Sequence, residues 1–125
     1  MKINNLPTCP YTLIHMFLVF LYKIIQMLSR EDILTYLTAN KPLFQKRFHL
    51  LKLGLFGSFA REEANESSDL DILIELEPGT PEIFELKQEL RLTMEQQFNR
   101  RVDICREKAI LPVFKSMILS EVIYV

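Results

Sequence analysis

The sequence predicts an α+β fold in which helices close over a small sheet. Two observations carry this: apolar stripes of helical spacing alternate with short β-rich apolar runs, and a chain of 125 residues has room for one compact core. Ser29 caps the first core helix, with Asp32 three residues on in a capping-box-like arrangement, and Ile33, Leu34 and Leu37 form its stripe. Asn40-Lys41-Pro42 is expected to stop it, because proline disfavours helical geometry in the residue before it and donates no backbone hydrogen bond. Leu50 to Phe56 reads as a buried strand and leads directly into Gly57-Ser58. A short helix or turn is expected from Ser58 to about Glu66, broken by Ser67-Ser68, and Leu70 to Leu76 forms a second strand ended by Pro78-Gly79. Thr80 as N-cap and Pro81 at the first helical position open a long helix carrying Ile83, Leu86, Leu90, Met94 and Phe98. A third strand spans Val102 to Cys105. The tail from Pro112 to Val125 reads as a last amphipathic helix, with Val113, Phe114, Met117, Ile118 and Val122 closing over the sheet.

Charged residues make up 25% of the chain, hydrophobic residues 49%, and the formal net charge is -1. This is globular rather than disordered or fibrous composition. A near-neutral protein lacks the long-range positive field that gathers polyanions, so direct nucleic-acid binding is not expected and any phosphate must be held by a local site. Cys9 and Cys105 stand far apart, with no cysteine or histidine cluster at zinc or disulfide spacing, and read as free thiols in a reducing cytoplasm. Cys105 reads as small core filler rather than a nucleophile, and neither His15 nor His49 has a partner that would make it a ligand or base.

Leu13 to Tyr22 forms an apolar run of about ten residues before Lys23, shorter than the roughly 20 that a membrane span needs. Lys2 could serve a signal peptide, but no small-residue cleavage site follows, and Lys23 and Gln26 interrupt the stretch. Since Met27 precedes a natural domain opening, the preferred reading takes residues 1–26 as an upstream extension from a misplaced start codon, with residues 27–125 as the domain. An additional docking helix, or a membrane or export signal, is the alternative.

The chemistry-bearing residues lie between and on the strands. Asp69 and Asp71 are two apart at a strand start, so alternation places both carboxylates on one side. Like charges this close call for a shifted pKa, a shared proton or a hard divalent cation, and Mg²⁺ typically uses one or two carboxylates plus substrate phosphates. Asp103 would add a third carboxylate if its strand lies beside theirs. Three can hold two metal ions about 3.5 to 4 Å apart for an in-line displacement at phosphorus. Such a transfer needs positioning and charge neutralisation more than a covalent catalyst. Gly57 lets backbone approach a phosphate, and Ser58 adds a hydroxyl beside a helix N-terminus. Arg61 contacts a phosphate or pairs with Glu62 or Asp69; Ser68 caps the turn or binds near the metal.

Each part alone has an ordinary explanation. Gly-Ser is commonly only a turn, Asp-x-Asp is commonly a solvated strand edge, and a strand aspartate usually faces outward. The ordered combination of strand, Gly-Ser, about ten residues, Asp-x-Asp on a strand and Asp on a later strand is far more specific.

Gly57-Ser58-Phe59-Ala60-Arg61 followed by Ser68-Asp69-Leu70-Asp71-Ile72-Leu73-Ile74 resembles the signature of the DNA polymerase β-like nucleotidyltransferase superfamily. Within it, the short length and the ending Ile118 to Val125 resemble the MNT antitoxins of HEPN/MNT toxin–antitoxin pairs. The resemblance covers roughly Ser29 to Val125. It implies a small mixed sheet backed by helices, with Gly57 and Ser58 on the triphosphate, Asp69 and Asp71 on Mg²⁺, and Asp103 as the third acid. It also implies a type VII antitoxin that transfers AMP from ATP to a tyrosine of a partner HEPN RNase and silences it. Relatives often follow the arginine with glycine where Glu62 stands here, and the helix-rich acceptor domain of larger members is missing, so the acceptor would come from a partner protein. Two other functions stay open: an antitoxin that blocks its partner by binding alone, and a small-molecule nucleotidyltransferase. Clustered acids without a metal are costly to keep, which weighs against the first. The chain's small size weighs against the second.

Overall fold

The computed structural model describes residues 10–25 and 27–125. Lys2, Cys9 and Gln26, and the side chain of Lys23, lie outside the described residues. Helix α1 (Pro10–Ile25) exposes apolar side chains around its circumference, among them Leu13, Phe17, Leu18 and Phe20. No described helix is long and apolar enough to cross a membrane.

The domain that follows is α2 (Arg30–Phe48), β1 (Leu50–Phe56), α3 (Gly57–Ala60), β2 (Leu70–Leu76), α4 (Ile83–Phe98), β3 (Val102–Arg106), a 3₁₀ turn (Glu107–Ala109), α5 (Pro112–Glu121) and β4 (Ile123–Tyr124). The four strands form one mixed sheet in the order β3-β2-β1-β4: β2 and β3 are parallel, and β1 is antiparallel to both β2 and β4. The parallel pair is joined through α4, as parallel strands require a crossover. The fold is therefore α+β, as the sequence predicts.

One face of the sheet carries the core. Leu53, Leu55, Leu70, Ile72, Ile74, Val102 and Ile104 point into a cluster with Ile33, Leu37, Phe44 and Phe48 of α2 and with Leu90 and Met94 of α4. Strand alternation sends Asp71, Leu73 and Glu75 to the opposite face.

Four expectations are corrected. Pro42 does not end α2; the helix runs on to Phe48, and His49 caps it in the left-handed conformation. A mid-helix proline costs about 3 kcal/mol, but Phe44 and Phe48 lie beyond it, both buried in the core. At about 1.5–3 kcal/mol per buried large side chain, their packing offsets the loss. Thr80 and Pro81 do not open α4. Thr80 closes the preceding turn, its hydroxyl donating to the Glu77 carbonyl at 2.6 Å, and Glu82 is the N-cap in a left-handed conformation.

The tail is not one helix: α5 ends at Glu121, and Ile123–Tyr124 pairs with Gly54 and Leu55 of β1. Nor does α5 close over the sheet. None of its residues is buried, and Val113, Phe114 and Met117 are exposed. Apolar spacing identifies the helix but not what covers its stripe, and pairing of the last strand with β1 draws the helix toward α3 instead. Gly54 makes that pairing possible, since a Cβ there would lie 2.7 Å from Val122 Cγ1 and 3.1 Å from the Ile123 carbonyl oxygen.

Candidate active site

Three aspartates stand at one end of the sheet face opposite the core. Asp71 and Asp103 are direct partners in the parallel β2–β3 register, and Asp69 precedes β2 by one residue. Among the described residues, none of the three takes part in a hydrogen bond or salt bridge. Asp71 is half-buried, and burial, then repulsion from Asp103 and Asp69, pushes its carboxyl up to about 6.

Gly57 meets this cluster from the β1 side, where Phe56 pairs with Asp71. Its φ is +75°, and a Cβ on it would lie 2.1 Å from Asp71 Oδ2. Glycine is thus required twice, for the backbone conformation and for the space the carboxylate fills. Ser58 follows at the first turn of α3, and its hydroxyl has no protein partner among the described residues.

Arg61 ends this turn and pairs neither with Glu62 nor with Asp69. Its Nε donates to Glu63 at 3.0 Å and its Nη1 to Glu121 at 2.9 Å. Glu62, where the resemblance leads one to expect glycine, has φ +60°, a left-handed conformation carried here with a side chain. Ser68 is used by the turn before Asp69: its hydroxyl accepts from the Asn65 amide at 2.9 Å, and its own amide donates to the Asn65 carbonyl. Cys105 is half-buried on the same strand face as Asp103, and burial pushes its thiol up, which suits filler rather than a nucleophile.

Two residues of the site carry no sequence signal. Arg100 donates from Nη1 to the carbonyls of Asn65, Glu66 and Ser68 and lies over the Phe59 ring at 5.0 Å, clamping the loop that delivers Asp69. Glu121, from the end of α5, accepts from the Gly57 amide at 3.2 Å and from Arg61. Both act across long sequence separations that no spacing rule reaches.

The acids suit a hard cation in chemistry, being oxygen donors only, yet no three histidine, cysteine or acidic side chains converge into a ready cage among the described residues. That arrangement fits Mg²⁺, which is typically held by one or two carboxylates together with substrate phosphates rather than by an all-protein cage.

Residues 37–125 match the model of the nucleotidyltransferase domain family. The chain belongs to this family. It is a nucleotidyltransferase, and its relatives include the protein adenylyltransferase MntA of Thermococcus cleftensis, 37% identical over 101 residues that span 79% of this chain and 98% of the relative. A relative from Methanocaldococcus jannaschii, named as a candidate protein adenylyltransferase, is 31% identical over 79% of this chain and all of its own length. Among solved structures, a minimal nucleotidyltransferase superposes with a TM-score of 0.66 at 32% identity, covering 78% of this chain and 96% of its own. A toxin–antitoxin complex solved with AMP-PNP shares the fold, with a TM-score of 0.55 at 21% identity over 78% of this chain and 72% of its own.

Proposed function

We propose that this chain is an ATP- and Mg²⁺-dependent protein adenylyltransferase acting as an antitoxin, which neutralises a partner HEPN-type RNase by placing AMP on one of its tyrosines in the cytoplasm. The observation that carries the reading is the unpartnered trio Asp69, Asp71 and Asp103, set against the glycine turn at Gly57. The 37% identity to a protein adenylyltransferase supports the nature of the acceptor. The transferase unit is residues 27–125, with residues 1–26 an appended segment; relatives matched over nearly their full length by about four-fifths of this chain support that division.

In this reading Gly57, Ser58 and Arg61 receive the triphosphate, and Asp69, Asp71 and Asp103 hold the metal. Mg²⁺ would neutralise phosphate charge and align the triphosphate. The chain's own part is to orient both substrates. The tyrosine oxygen attacks the α-phosphorus, the bond from that phosphorus to the bridging oxygen of the β-phosphate breaks, pyrophosphate leaves, and the phenolic proton passes to Asp103 or to solvent. Arg61 is free to bind phosphate once Glu63 and Glu121 release it. Ser68, taken by its turn, orders the backbone before Asp69.

The test is the intact mass of the protein encoded by the adjacent gene after co-expression, with wild type and with the Asp69→Asn/Asp71→Asn double variant. A gain of one or more AMP units with wild type alone sustains the proposal. Unchanged mass with toxicity still blocked replaces it with neutralisation by binding.

A further inference from the structure

We infer that helix α1 lies along a membrane surface, embedded in the acyl region of one leaflet, and holds the domain that follows it at that surface. This is independent of the transfer reading above. No lysine, arginine, aspartate or glutamate stands between Pro10 and Tyr22, and eight large apolar side chains from Leu13 to Leu21 are exposed. With about 100° between successive residues of a helix, these eight point in every direction but one. The remaining sector, about 40° wide, holds Tyr11, His15 and Tyr22, which stand four and eleven positions apart along α1.

That distribution selects lipid as the occupant. A protein groove, or a second copy of this helix, covers one stripe on the order of 100° wide and leaves the other apolar side chains in water. A leaflet covers all of them while the tyrosine hydroxyls and the imidazole stay at the headgroup level, the place that amphipathic rings favour. Backbone hydrogen bonds are satisfied inside the helix, so submersion strands few polar groups. The 16 residues of α1 span about 24 Å, less than the roughly 30 Å of a hydrocarbon core, so the helix lies in the bilayer without crossing it. Lys2 and Lys23 are the only charged residues of positions 1–26, and taking them from a formal net charge of -1 leaves -3 on residues 27–125. The domain is therefore not drawn to anionic headgroups, and attachment comes from apolar burial. Four residues join α1 to α2, a link short enough to keep the domain beside the surface.

The test uses the full chain with Phe17→Trp, on the side of α1 away from the tyrosines, as the single reporter in a sequence that has no tryptophan. The protein in detergent is mixed with phosphatidylcholine, the detergent is removed and the vesicles are floated on a gradient. The chain is expected to float, with blue-shifted emission that lipid brominated on its acyl chains quenches. Binding should persist at about 0.5 M salt and gain nothing from about a quarter of phosphatidylserine. In the same background Leu13→Asp and Phe20→Asp, far from the tyrosine sector, should each lower vesicle affinity about tenfold or more, and His15→Asp, within it, about threefold or less. The melting temperature of the domain should be unchanged in all three. A chain that stays at the bottom of the gradient in any state of association, emission unmoved by vesicles, binding that needs phosphatidylserine, or equal losses from His15→Asp and Phe20→Asp would each overturn the inference.

Discussion

A Cβ on Gly57 would stand 2.1 Å from Asp71 Oδ2, so the half-buried aspartate fills the space that the glycine turn leaves. Gly57→Ala must therefore strain a left-handed backbone, at about 1–2 kcal/mol, and also push the Asp71 carboxylate aside. We expect the variant to melt several degrees lower and to lose AMP-PNP binding, whereas Gly79→Ala, with φ +79° but open space around it, shows the thermal loss alone. Calorimetric melting and nucleotide titration of both variants check this.

The pH behaviour of Asp71 has a definite sign. Its carboxyl is raised from 3.8 to about 6, so the stability contributed by the protonated form is full below about 3.8 and lost as pH rises through about 6. Asp71→Asn should thus stabilise the metal-free protein at pH 7 by about 1 kcal/mol, discounted for partial solvent exposure. The gain should vanish near pH 4, and Mg²⁺ should raise the melting temperature at pH 8 more than at pH 5, because the proton competes with the cation. Melting curves across pH with and without Mg²⁺ decide it.

Glu75 behaves oppositely. It is buried on the sheet face opposite the core, accepting from Arg106 Nη2 at 2.8 Å, the Lys108 amide at 2.9 Å and the Leu76 amide at 3.0 Å. Burial alone would raise its carboxyl, but these bonds hold it below the usual range. Its contribution is present above the ordinary carboxylate value and lost as pH falls through the lowered one. Glu75→Ala leaves the half-buried Arg106 guanidinium and the Lys108 amide without their carboxylate, and urea titration at pH 7 should show a loss of about 2 kcal/mol.

Glu121 holds the Gly57 amide and Arg61, two of the donors assigned to the triphosphate. Glu121→Gln removes the competing negative charge, and isothermal titration should show AMP-PNP binding several-fold tighter. Weaker binding would make Glu121 a support of the site rather than a competitor.

Glu62 keeps φ +60° with a side chain. Glu62→Gly removes that strain while giving up an exposed contact to Arg30 at 3.3 Å, and should leave stability within about 1 kcal/mol of wild type. Glu62→Val, with a β-branched side chain, should lose about 1–2 kcal/mol in the same urea titration.

The sequence by itself determined the elements with strong local causes. The Ser29 capping box, β1 and β2 at their observed bounds, and the fold class all follow from short-range periodicity and hydrogen bonding. So does the spacing that places Asp69 and Asp71 together. Only the tertiary structure decided what depends on packing between distant segments: α2 running through Pro42 because Phe44 and Phe48 are buried beyond it, and the tail ending as a strand on β1. The pairing of Asp71 with Asp103, the Arg100 clamp and the Glu121 contact belong to the same class. Local rules act over three or four residues, whereas the contacts between strands, the Arg100 clamp and the Glu121 contact join segments about thirty to seventy residues apart, and their energy exists only once the sheet has brought the segments together.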